Sequence, residues 1–378
     1  MNPATSSPSI ALVAVNAPID RLLSYRVPQA LAERILIGSR VNVPLGRRQV
    51  VGYVLGWGEE ESVELKEVVE LLDTAPLFHQ QHARFYQRAA DYYAYPIGGV
   101  MRVALPSGLS GKQRAPAILT DSFYRATALD GEPRGKRQRA ILAAVRATEG
   151  ELLSSLRQRF ETPHAVLKRL VEQGFLDVSQ VERRRDPFLG EITPHPAPAL
   201  NAEQQQVLDR LTPLIDQLPT FVPVLLHGVT GSGKTEIYLQ SIEKVVARGQ
   251  QALVMVPEIA LTPQLVARFR GRFMSRAVRL AVLHSGLSDG ERYDAWRAVA
   301  AGEVDVVIGA RSAVFAPLTR LGLIVVDEEH DGSYKQSESF RYNARDLALL
   351  RGQDEQALVL LGSATPSLTS YHAAQSGR

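Results

Sequence analysis

The chain has 378 residues, of which 45% are apolar and 22% charged, and its net charge is +3. This length predicts two or three domains with cores of their own. The chain has no cysteine, which excludes disulfides and cysteine-bound metal within it. No apolar run approaches the length of a membrane span, and no basic region precedes the first apolar run as in a signal peptide. We therefore expect a cytoplasmic protein.

Residues 1–110 are predicted to form a β-rich first domain. Short runs at 9–15, 40–44 and 50–55 alternate apolar and polar residues between turn residues, which predicts a small β-barrel or sheet. A helical pattern then extends from His79 to Tyr95 and ends at Pro96.

Residues 111–186 are predicted to be a winged-helix domain, with three short helices followed by a strand at 175–181. Thr162 is the expected N-cap of the third helix, and Pro163 its first residue. This helix carries Lys168 and Arg169 as candidate DNA contacts. Residues 134–185 hold 12 Lys or Arg against 6 Asp or Glu, which favours a phosphate-bearing partner. The alternatives are a small helical connector and an ordinary solvated surface.

The proline-rich stretch 187–200 predicts a semi-rigid linker. After it, residues 201–378 alternate strand and helix patterns, which is typical of a parallel sheet covered by helices. The expected fold is therefore multidomain, with a β-rich first domain followed by a winged helix and a parallel α/β domain.

The strongest motif is a phosphate loop with the pattern G-x-x-x-x-G-K-[ST], placed between an apolar strand and an amphipathic helix. Its glycines let successive backbone N–H groups point at a phosphate, and the helix N-terminus adds partial positive charge. Lys234 is expected to reach the β- and γ-phosphates of ATP, and the Thr235 hydroxyl to bind Mg²⁺. The residues predicted to bind the nucleotide are Gly228, Val229, Thr230, Gly231, Ser232, Gly233, Lys234 and Thr235.

A second motif, Asp327-Glu328-Glu329-His330, follows the apolar run 323–326. The run predicts a buried parallel strand, so Asp327 would emerge at the carboxyl edge of the sheet and hold Mg²⁺. Glu328 is the expected base for the attacking water. An isolated acidic pair would usually be a solvated loop, but together the two motifs predict hydrolysis of Mg-ATP. Gln204, ahead of the phosphate loop, could contact the adenine edge or simply lie on an exposed helix.

Further loops follow the other predicted strands of residues 201–378. Because the carboxyl ends of parallel strands share one edge, these loops are expected beside the ATP motifs. Their hydroxyl, amide and guanidinium donors suit nucleic-acid phosphates. The candidate contacts are Thr262, Gln264, Arg311 and Ser312.

The ordered segments GVTGSGKTE, VPEIALTPQ, LHSGLSDGER, IGARSAVFAP, DEEH and LGSATPS resemble superfamily 2 helicases of the DEAH type, and more narrowly the replication restart helicases. The resemblance extends over nearly the whole chain and implies that residues 201–378 are a RecA-like first helicase lobe. It implies that His330 and the motif Ser363, Ala364 and Thr365 couple hydrolysis to DNA movement.

Residues 331–345, here named the aromatic loop, are similar to that family's sensor of single-stranded DNA. Aromatic rings can stack on any base while Lys and Arg meet phosphates. The alternative is that Phe340 and Tyr342 pack in the local core. The implied DNA contacts are Tyr334, Lys335, Phe340, Arg341, Tyr342 and Arg345.

The first domain resembles the family's DNA-end-binding domain, which holds the 3′ end of the leading strand in a pocket. The matching positions here are Leu23, Ser24, Gly46 and Lys66. Many members of the family have an acidic residue in place of Ser24.

The resemblance implies an ATP-dependent 3′→5′ DNA helicase that recognises stalled or branched replication forks and remodels them to reload the replicative helicase. The implied partners are forked and single-stranded DNA, the single-stranded DNA-binding protein and primosome proteins. The protein itself is expected to be a monomer that associates with the nucleoid. The family continues into a zinc module and a second lobe, so residues 1–378 are not expected to unwind DNA alone. Two other hypotheses stay open: a fork-binding module whose ATP site drives nothing, and a double-stranded DNA translocase.

Overall fold

The computed structural model describes residues 10–59, 64–110, 115–185, 193–274 and 278–377. The chain divides into two compact units, one formed by Met1–Pro116 with Pro187–Arg378 and the other by Ala117–Asp186. The linker prediction falls partly on residues 186–192, which lie outside the described residues; residues 193–200 have no regular secondary structure.

The first domain contains an antiparallel sheet with the strand order β2-β1-β4-β3-β5. Alternating apolar residues such as Val13, Val41 and Val43 bury one face of this sheet. Arg26 of the edge strand β2 also exchanges backbone hydrogen bonds with residues 66 and 68, just ahead of the opposite edge strand. The strands are β1 (Ile10–Val15), β2 (Leu23–Arg26), β3 (Arg40–Leu45), β4 (Arg48–Gly58) and β5 (Glu70–Leu71).

Two helices complete the first domain, α1 (Gln80–Tyr92) and α2 (Ile97–Ala104). The helix predicted from His79 to Tyr95 is thus confirmed over most of its length. The second helix was not predicted, because its two adjacent glycines disfavour a helix. Gly98 is required by tertiary packing: a Cβ there would lie 1.9 Å from the Val15 carbonyl oxygen.

The unit of residues 117–186 combines three helices with a small antiparallel sheet of order β7-β6-β8. Buried leucines such as Leu156, Leu167 and Leu170 form its core. The N-cap prediction was wrong: Thr162 has a φ of 39°, and Pro163 occupies the cap without a side-chain hydrogen bond. The elements are β6 (Thr120–Ala126), α3 (Lys136–Ala147), β7 (Glu151–Leu152), α4 (Leu153–Arg159), α5 (His164–Glu172) and β8 (Leu176–Glu182).

Residues 201–377 are named here the ATPase domain, after the ATP hydrolysis that their two motifs predict. Within the described residues this domain forms a parallel sheet of six strands in the order β11-β12-β10-β13-β14-β9. The predicted alternation of strand and helix is confirmed. The elements are α6 (Ala202–Asp216), β9 (Val222–His227), α7 (Lys234–Ala247), β10 (Gln251–Met255), α8 (Pro263–Phe273), β11 (Leu280–Leu283), α9 (Asp289–Ala300), β12 (Val306–Gly309), β13 (Leu321–Val326), α10 (Ala344–Glu355), β14 (Leu358–Ser363) and α11 (Leu368–Gln375).

The central strands β10, β13 and β14 are buried along their whole length, as their unbroken apolar runs predict. Because all six strands of the described sheet are parallel, the loops that follow them emerge at one edge. The phosphate loop follows β9 at one end of the strand order, and the acidic motif follows β13 two strands away. The fold therefore places both motifs on the same side of the sheet.

The first domain and the ATPase domain share one hydrophobic core, in which Phe85 and Tyr86 of α1 contact Phe315. Polar contacts reinforce it: the Tyr86 hydroxyl donates to the Phe315 carbonyl at 2.9 Å and the Trp296 indole to the Leu77 carbonyl at 2.7 Å. Because this interface is buried, the first domain is a structural support of the ATPase domain.

His82 of α1 is a buried polar group in that interface. Burial lowers the pKa of His82 to about 3, so its ring is neutral. Its Nδ1 accepts from the His79 backbone N–H at 3.2 Å, which leaves Nε2 to donate to the Leu318 carbonyl at 2.7 Å. Both ring nitrogens are thereby satisfied.

Within the described residues, no helix combines the length and apolarity that crossing a bilayer requires.

Candidate functional site

The phosphate loop adopts the conformation that its glycines allow. Gly231 and Gly233 have φ values of 81° and 86°, in the left-handed region that favours glycine, and Gly233 caps α7. A Cβ at Gly233 would also lie 2.3 Å from Gln204 Nε2, so any other residue there would displace the Gln204 side chain. The loop therefore leads directly into the N-terminus of α7, as predicted.

Lys234 is the first residue of α7 and extends back over the loop. Its Nζ donates to the Gly228 carbonyl at 2.8 Å and lies 3.8 Å from Glu328 Oε1. The side chain is only 9% exposed. The predicted proximity of the phosphate loop to the acidic motif is confirmed. We name the space bounded by 228–235, Asp327 and Glu328 the ATP crevice.

Asp327 leaves the end of β13 as a largely buried carboxylate. Burial raises its pKa, and a hydrogen bond from the Tyr238 hydroxyl to Oδ1, at 2.9 Å, opposes that rise. Tyr238 is buried on α7 and was missed by the sequence analysis. The available signal was its position four residues after Lys234, which places both side chains on the same face of α7.

The residues of the crevice fit Mg²⁺ bound together with ATP. Asp327 offers a carboxylate from a poorly solvated position, and Thr235 lies in the first turn of α7 on the opposite wall. No cluster of three or more His, Asp or Glu that could hold a metal occurs within the described ranges. Phosphate oxygens would therefore have to supply further ligands, as is usual for Mg²⁺ in such sites.

Glu328 has a φ of 45°, a left-handed conformation that is costly for a residue other than glycine. This geometry directs its carboxylate between two basic side chains. Oε1 faces Lys234, and Oε2 lies 3.7 Å from His330 Nδ1. Glu328 is about one-third exposed, so water can reach it.

His330 connects the acidic motif with the loop after β14. Its ring lies 2.7 Å from the Ser363 hydroxyl and 3.3 Å from the Thr365 hydroxyl. The Ser363 carbonyl accepts from the Gly228 backbone N–H at 3.1 Å. One hydrogen-bonded chain thus joins His330, the Ser363-Ala364-Thr365 motif and the phosphate loop. The structure brings these predicted coupling residues together.

Glu329 is a buried carboxylate that the sequence analysis gave no role. Burial raises its pKa, but hydrogen bonds from the Ser367 N–H, the Ser370 hydroxyl and Arg345 outweigh burial and lower it. The Ser367 N–H lies 2.6 Å and Arg345 Nη1 3.1 Å away. Arg345, predicted to contact DNA, instead forms ion pairs with Glu329 and Asp346. It thereby ties the aromatic loop to α11.

Gln204 lies against the phosphate loop and serves a structural role there. Its Nε2 donates to the Ser232 carbonyl at 2.9 Å, and its Oε1 accepts from the Asn201 backbone N–H at 3.0 Å. Asn201 in turn caps α6. An adenine contact by Gln204 stays a prediction.

The aromatic loop contradicts the prediction that its rings stack on bases. Tyr334, Phe340 and Tyr342 are buried. Phe340 contacts Tyr93 and Tyr95 of the first domain, with ring centroids 5.5 Å and 5.3 Å away. A ring enclosed on both faces cannot accept a base. The alternative prediction, that Phe340 and Tyr342 pack in the local core, is confirmed.

Tyr334 also contacts the backbone of the ATP crevice at Asp327. Its hydroxyl donates to the backbone carbonyls of Asp327 at 2.7 Å and Met255 at 3.0 Å. By contrast, Lys335 and Arg341 are exposed. The cations of the loop, and not its rings, are accessible to a polyanion.

The other predicted DNA contacts lie at the carboxyl edge as expected, but two of them have structural partners. The Thr262 hydroxyl caps α8, and Arg311 donates to the carbonyls of Ser333 and Lys335 at 3.2 Å and 2.8 Å. Gln264 and Ser312 are exposed.

The predicted contacts of the two other domains occupy accessible positions. Lys66 Nζ donates to the Gly46 carbonyl at 3.2 Å, so these two residues are adjacent, while Leu23 and Ser24 lie on β2. In the unit of residues 117–186, Lys168 and Arg169 are exposed on α5. Whether any of these side chains binds DNA stays a prediction.

Comparisons with known proteins match both parts of the larger unit. The model of the PriA 3′DNA-binding domain matches residues 12–106, and that of the DEAD/DEAH box helicases matches residues 202–373. RecG bound to a three-way DNA junction aligns over 47% of this chain and 23% of that chain, at 23% identity. The TM-score of this alignment is 0.37.

Two curated relatives have the same description, replication restart protein PriA. That of Bacillus subtilis (strain 168) is 35% identical over 95% of this chain and 53% of its own length. That of Synechocystis sp. (strain ATCC 27184 / PCC 6803 / Kazusa) is 44% identical over 96% of this chain and 52% of its own length. The chain thus spans about half the length of these relatives. Relatives with one description match nearly the whole chain, and family models match both its first domain and its ATPase domain. This chain therefore belongs to the PriA family of replication restart proteins.

Proposed function

We propose that the chain is the ATP-binding and DNA-binding part of a 3′→5′ DNA helicase that recognises stalled or branched replication forks and remodels them for reloading of the replicative helicase. The observation that carries the proposal is the ATP crevice. It holds a cation, a desolvated carboxylate and a water-accessible carboxylate within one small space. A site that only bound ATP would not need the last of these.

In the proposed reaction, the loop N–H groups and the N-terminus of α7 bind the phosphates of ATP, and Lys234 balances their charge. Magnesium, held by Thr235 and Asp327, would neutralise the charge that develops on the transferred phosphoryl group. Glu328 orients the attacking water and accepts its proton, since it is the crevice carboxylate that solvent reaches. Tyr238 fixes the orientation of Asp327.

Coupling to DNA is proposed to pass through the hydrogen-bonded chain at His330. A displacement of Glu328 or of the phosphate loop would reach Ser363 and Thr365 through their hydrogen bonds with His330. It would reach α11 through the hydrogen bond between Glu329 and the Ser367 N–H. The aromatic loop joins the same network through Arg345 and Tyr334. The accessible cations Lys335 and Arg341 are the proposed phosphate contacts of this loop.

The first domain is proposed to bind a 3′ DNA end near Ser24, Gly46 and Lys66, which the match to a 3′DNA-binding domain supports. The three helices and small sheet of residues 117–186 suit a winged helix. Its exposed Lys168 and Arg169 suit phosphates, so we propose binding by shape and charge with little base preference. Single-stranded DNA-binding protein and primosome proteins are the proposed protein partners.

The test measures ATP hydrolysis and strand separation by the whole protein on forked, linear and single-stranded DNA. We expect forked DNA to stimulate hydrolysis most, and unwinding to require a 3′ tail. Lys234→Ala should abolish both activities. Unchanged fork remodelling by that variant would favour the binding module, and equal stimulation by linear duplex would favour the translocase.

A further inference from the structure

A cavity of about 560 Å³ lies between α2 of the first domain and the loops that follow β11 and β12 of the ATPase domain. Its lining combines apolar side chains with polar and basic ones, and it includes no carboxylate. The groups that matter are Arg102 and Ser107 of the first domain and His284, Ser285, Arg292 and Ser312 of the ATPase domain. We propose that this cavity binds one phosphodiester of a DNA strand, with Arg102 and Arg292 as its cations.

Arg292 is held in place by neutral partners. Its Nη2 donates to the carbonyls of Ser285 and Leu287, each at 3.0 Å, and its Nη1 lies 3.3 Å from the Ser107 hydroxyl. Its Nε is buried without a hydrogen-bond partner, and no ion pair joins it to any described residue. A guanidinium that neutral partners hold in place, and that forms no direct ion pair, can still pair with an anion.

Arg102 supplies the second cation from the opposite wall. It occupies the last turn of α2, is exposed and has no ion pair within the described part of the chain. Two carboxylates lie one hydroxyl away from the lining: Asp289 accepts from the Ser107 hydroxyl at 2.5 Å, and Glu258 accepts from the Ser285 hydroxyl. Neither carboxylate lines the cavity, so the two guanidinium groups are the charged groups of the lining itself.

His284 adds a neutral polar group to the wall. Burial lowers its pKa, so the ring is uncharged near neutral pH. The Nδ1 atom accepts from the Gly286 backbone N–H at 3.1 Å, which places the ring proton on Nε2. The cavity therefore combines two fixed positive charges with neutral donors, the chemistry that suits a phosphodiester.

The strand order explains why DNA would reach this cavity. Thr262 and Gln264 follow β10, and Arg311 and Ser312 follow β12; β11 is the next strand outward, at the end farthest from β9. A strand of DNA that crosses the carboxyl edge over β10 and β12 arrives at the cavity and there meets the first domain. The inference rests on the proposed function, since it assumes that DNA follows this edge. It adds that both domains grip the same strand.

The test uses the 378-residue chain and a fluorescein-labelled oligothymidylate, with dissociation constants measured by fluorescence anisotropy over a series of KCl concentrations. Arg102→Ala removes one phosphate contact, so the slope of log K against log salt should fall by about 0.7. Arg84→Ala is the matched control, because Arg84 is exposed on α1 of the same domain and lies outside the cavity lining. The control should leave the slope unchanged.

A second measurement identifies the ligand as a DNA linkage. Oligonucleotides that carry one uncharged methylphosphonate are scanned along the strand, and each is combined with both variants. At one linkage, the methylphosphonate should weaken binding by the wild-type chain and by Arg84→Ala, and have little effect on Arg102→Ala. If wild type binds no oligonucleotide, the proposed function fails. If wild type binds but the two variants behave alike, or if every linkage is additive with Arg102→Ala, the inference alone is overturned.

Discussion

The ATP crevice and the aromatic loop both use residues that follow β13, yet these residues are used in opposite ways. In the crevice, the residues chosen from the sequence are polar and converge on one space. In the aromatic loop, the rings chosen from the sequence are buried against the first domain, and only the cations remain exposed. At the same carboxyl edge, the local sequence is therefore enough to predict the ATP crevice, whereas contacts with the first domain decide which residues of the aromatic loop are exposed.

The difference arises from what each residue type can tolerate. A lysine and two carboxylates cannot be buried without partners, so a motif that places them together has few other uses. An aromatic ring gains free energy both from stacking on a base and from packing in a core. Aromatic composition alone therefore cannot distinguish a binding surface from a domain interface.

The largest effect is expected in the crevice. Glu328→Gln should lower kcat for ATP hydrolysis by about 10²–10⁴-fold, because the attacking water loses its base. ATP binding, followed with a fluorescent analogue, should persist. The matched control is Glu338→Gln in the exposed part of the aromatic loop, which should keep wild-type hydrolysis. Equal losses in the two variants would remove the distinction between the two regions.

The buried ring predicts a loss of stability and not a specific loss of DNA binding. Phe340→Ala should lower the free energy of unfolding by about 3–5 kcal/mol, since it leaves a cavity among Tyr93, Tyr95 and Tyr342. Arg341→Ala, at the adjacent exposed position, should change it by less than about 0.5 kcal/mol. Urea denaturation measures both. A Phe340→Ala variant of normal stability that binds DNA weakly would restore the stacking prediction.

Tyr238→Phe tests a contact inside the crevice. Losing the hydrogen bond to Asp327 should cost about 1 kcal/mol of stability. The pKa of Asp327 is already raised by burial, and the Tyr238 hydrogen bond lowers it, so the variant should raise it further. Because the ionised carboxylate is the form that binds a metal, activity is lost as pH falls through this pKa. The acid limb of the pH–kcat profile should therefore move to higher pH; an unmoved limb would show that Tyr238 only packs.

The smallest effect is expected for the exposed cations of the aromatic loop. Arg341→Ala should reduce the salt slope of single-stranded DNA binding by about 0.7, the share of one phosphate contact. Arg320→Ala is the control, because Arg320 is also exposed but precedes β13 at the opposite edge of the sheet. Identical slopes for the two variants would mean that the aromatic loop does not contact DNA through Arg341.

Much of the fold was predictable because its signals are local. Unbroken apolar runs marked β10, β13 and β14, and alternating runs marked β1, β3 and β4. The glycines of the phosphate loop and the strand before Asp327 placed the crevice residues correctly. Helix α2 was not predicted, because the reason for a glycine at position 98 is a close approach to Val15, which is distant in sequence. The N-cap at Thr162 failed because the backbone there is left-handed.

By itself the sequence determined the order of the elements, the phosphate loop and the chemistry at Asp327 and Glu328, because backbone propensity and side-chain charge act over a few residues. Only the tertiary structure decided that the first domain and the ATPase domain share one core, that Phe340 is buried there, and that Tyr238 and Arg345 support the two carboxylates beside them. Those outcomes depend on which surfaces meet, and burial makes that choice through contacts between residues far apart in the chain.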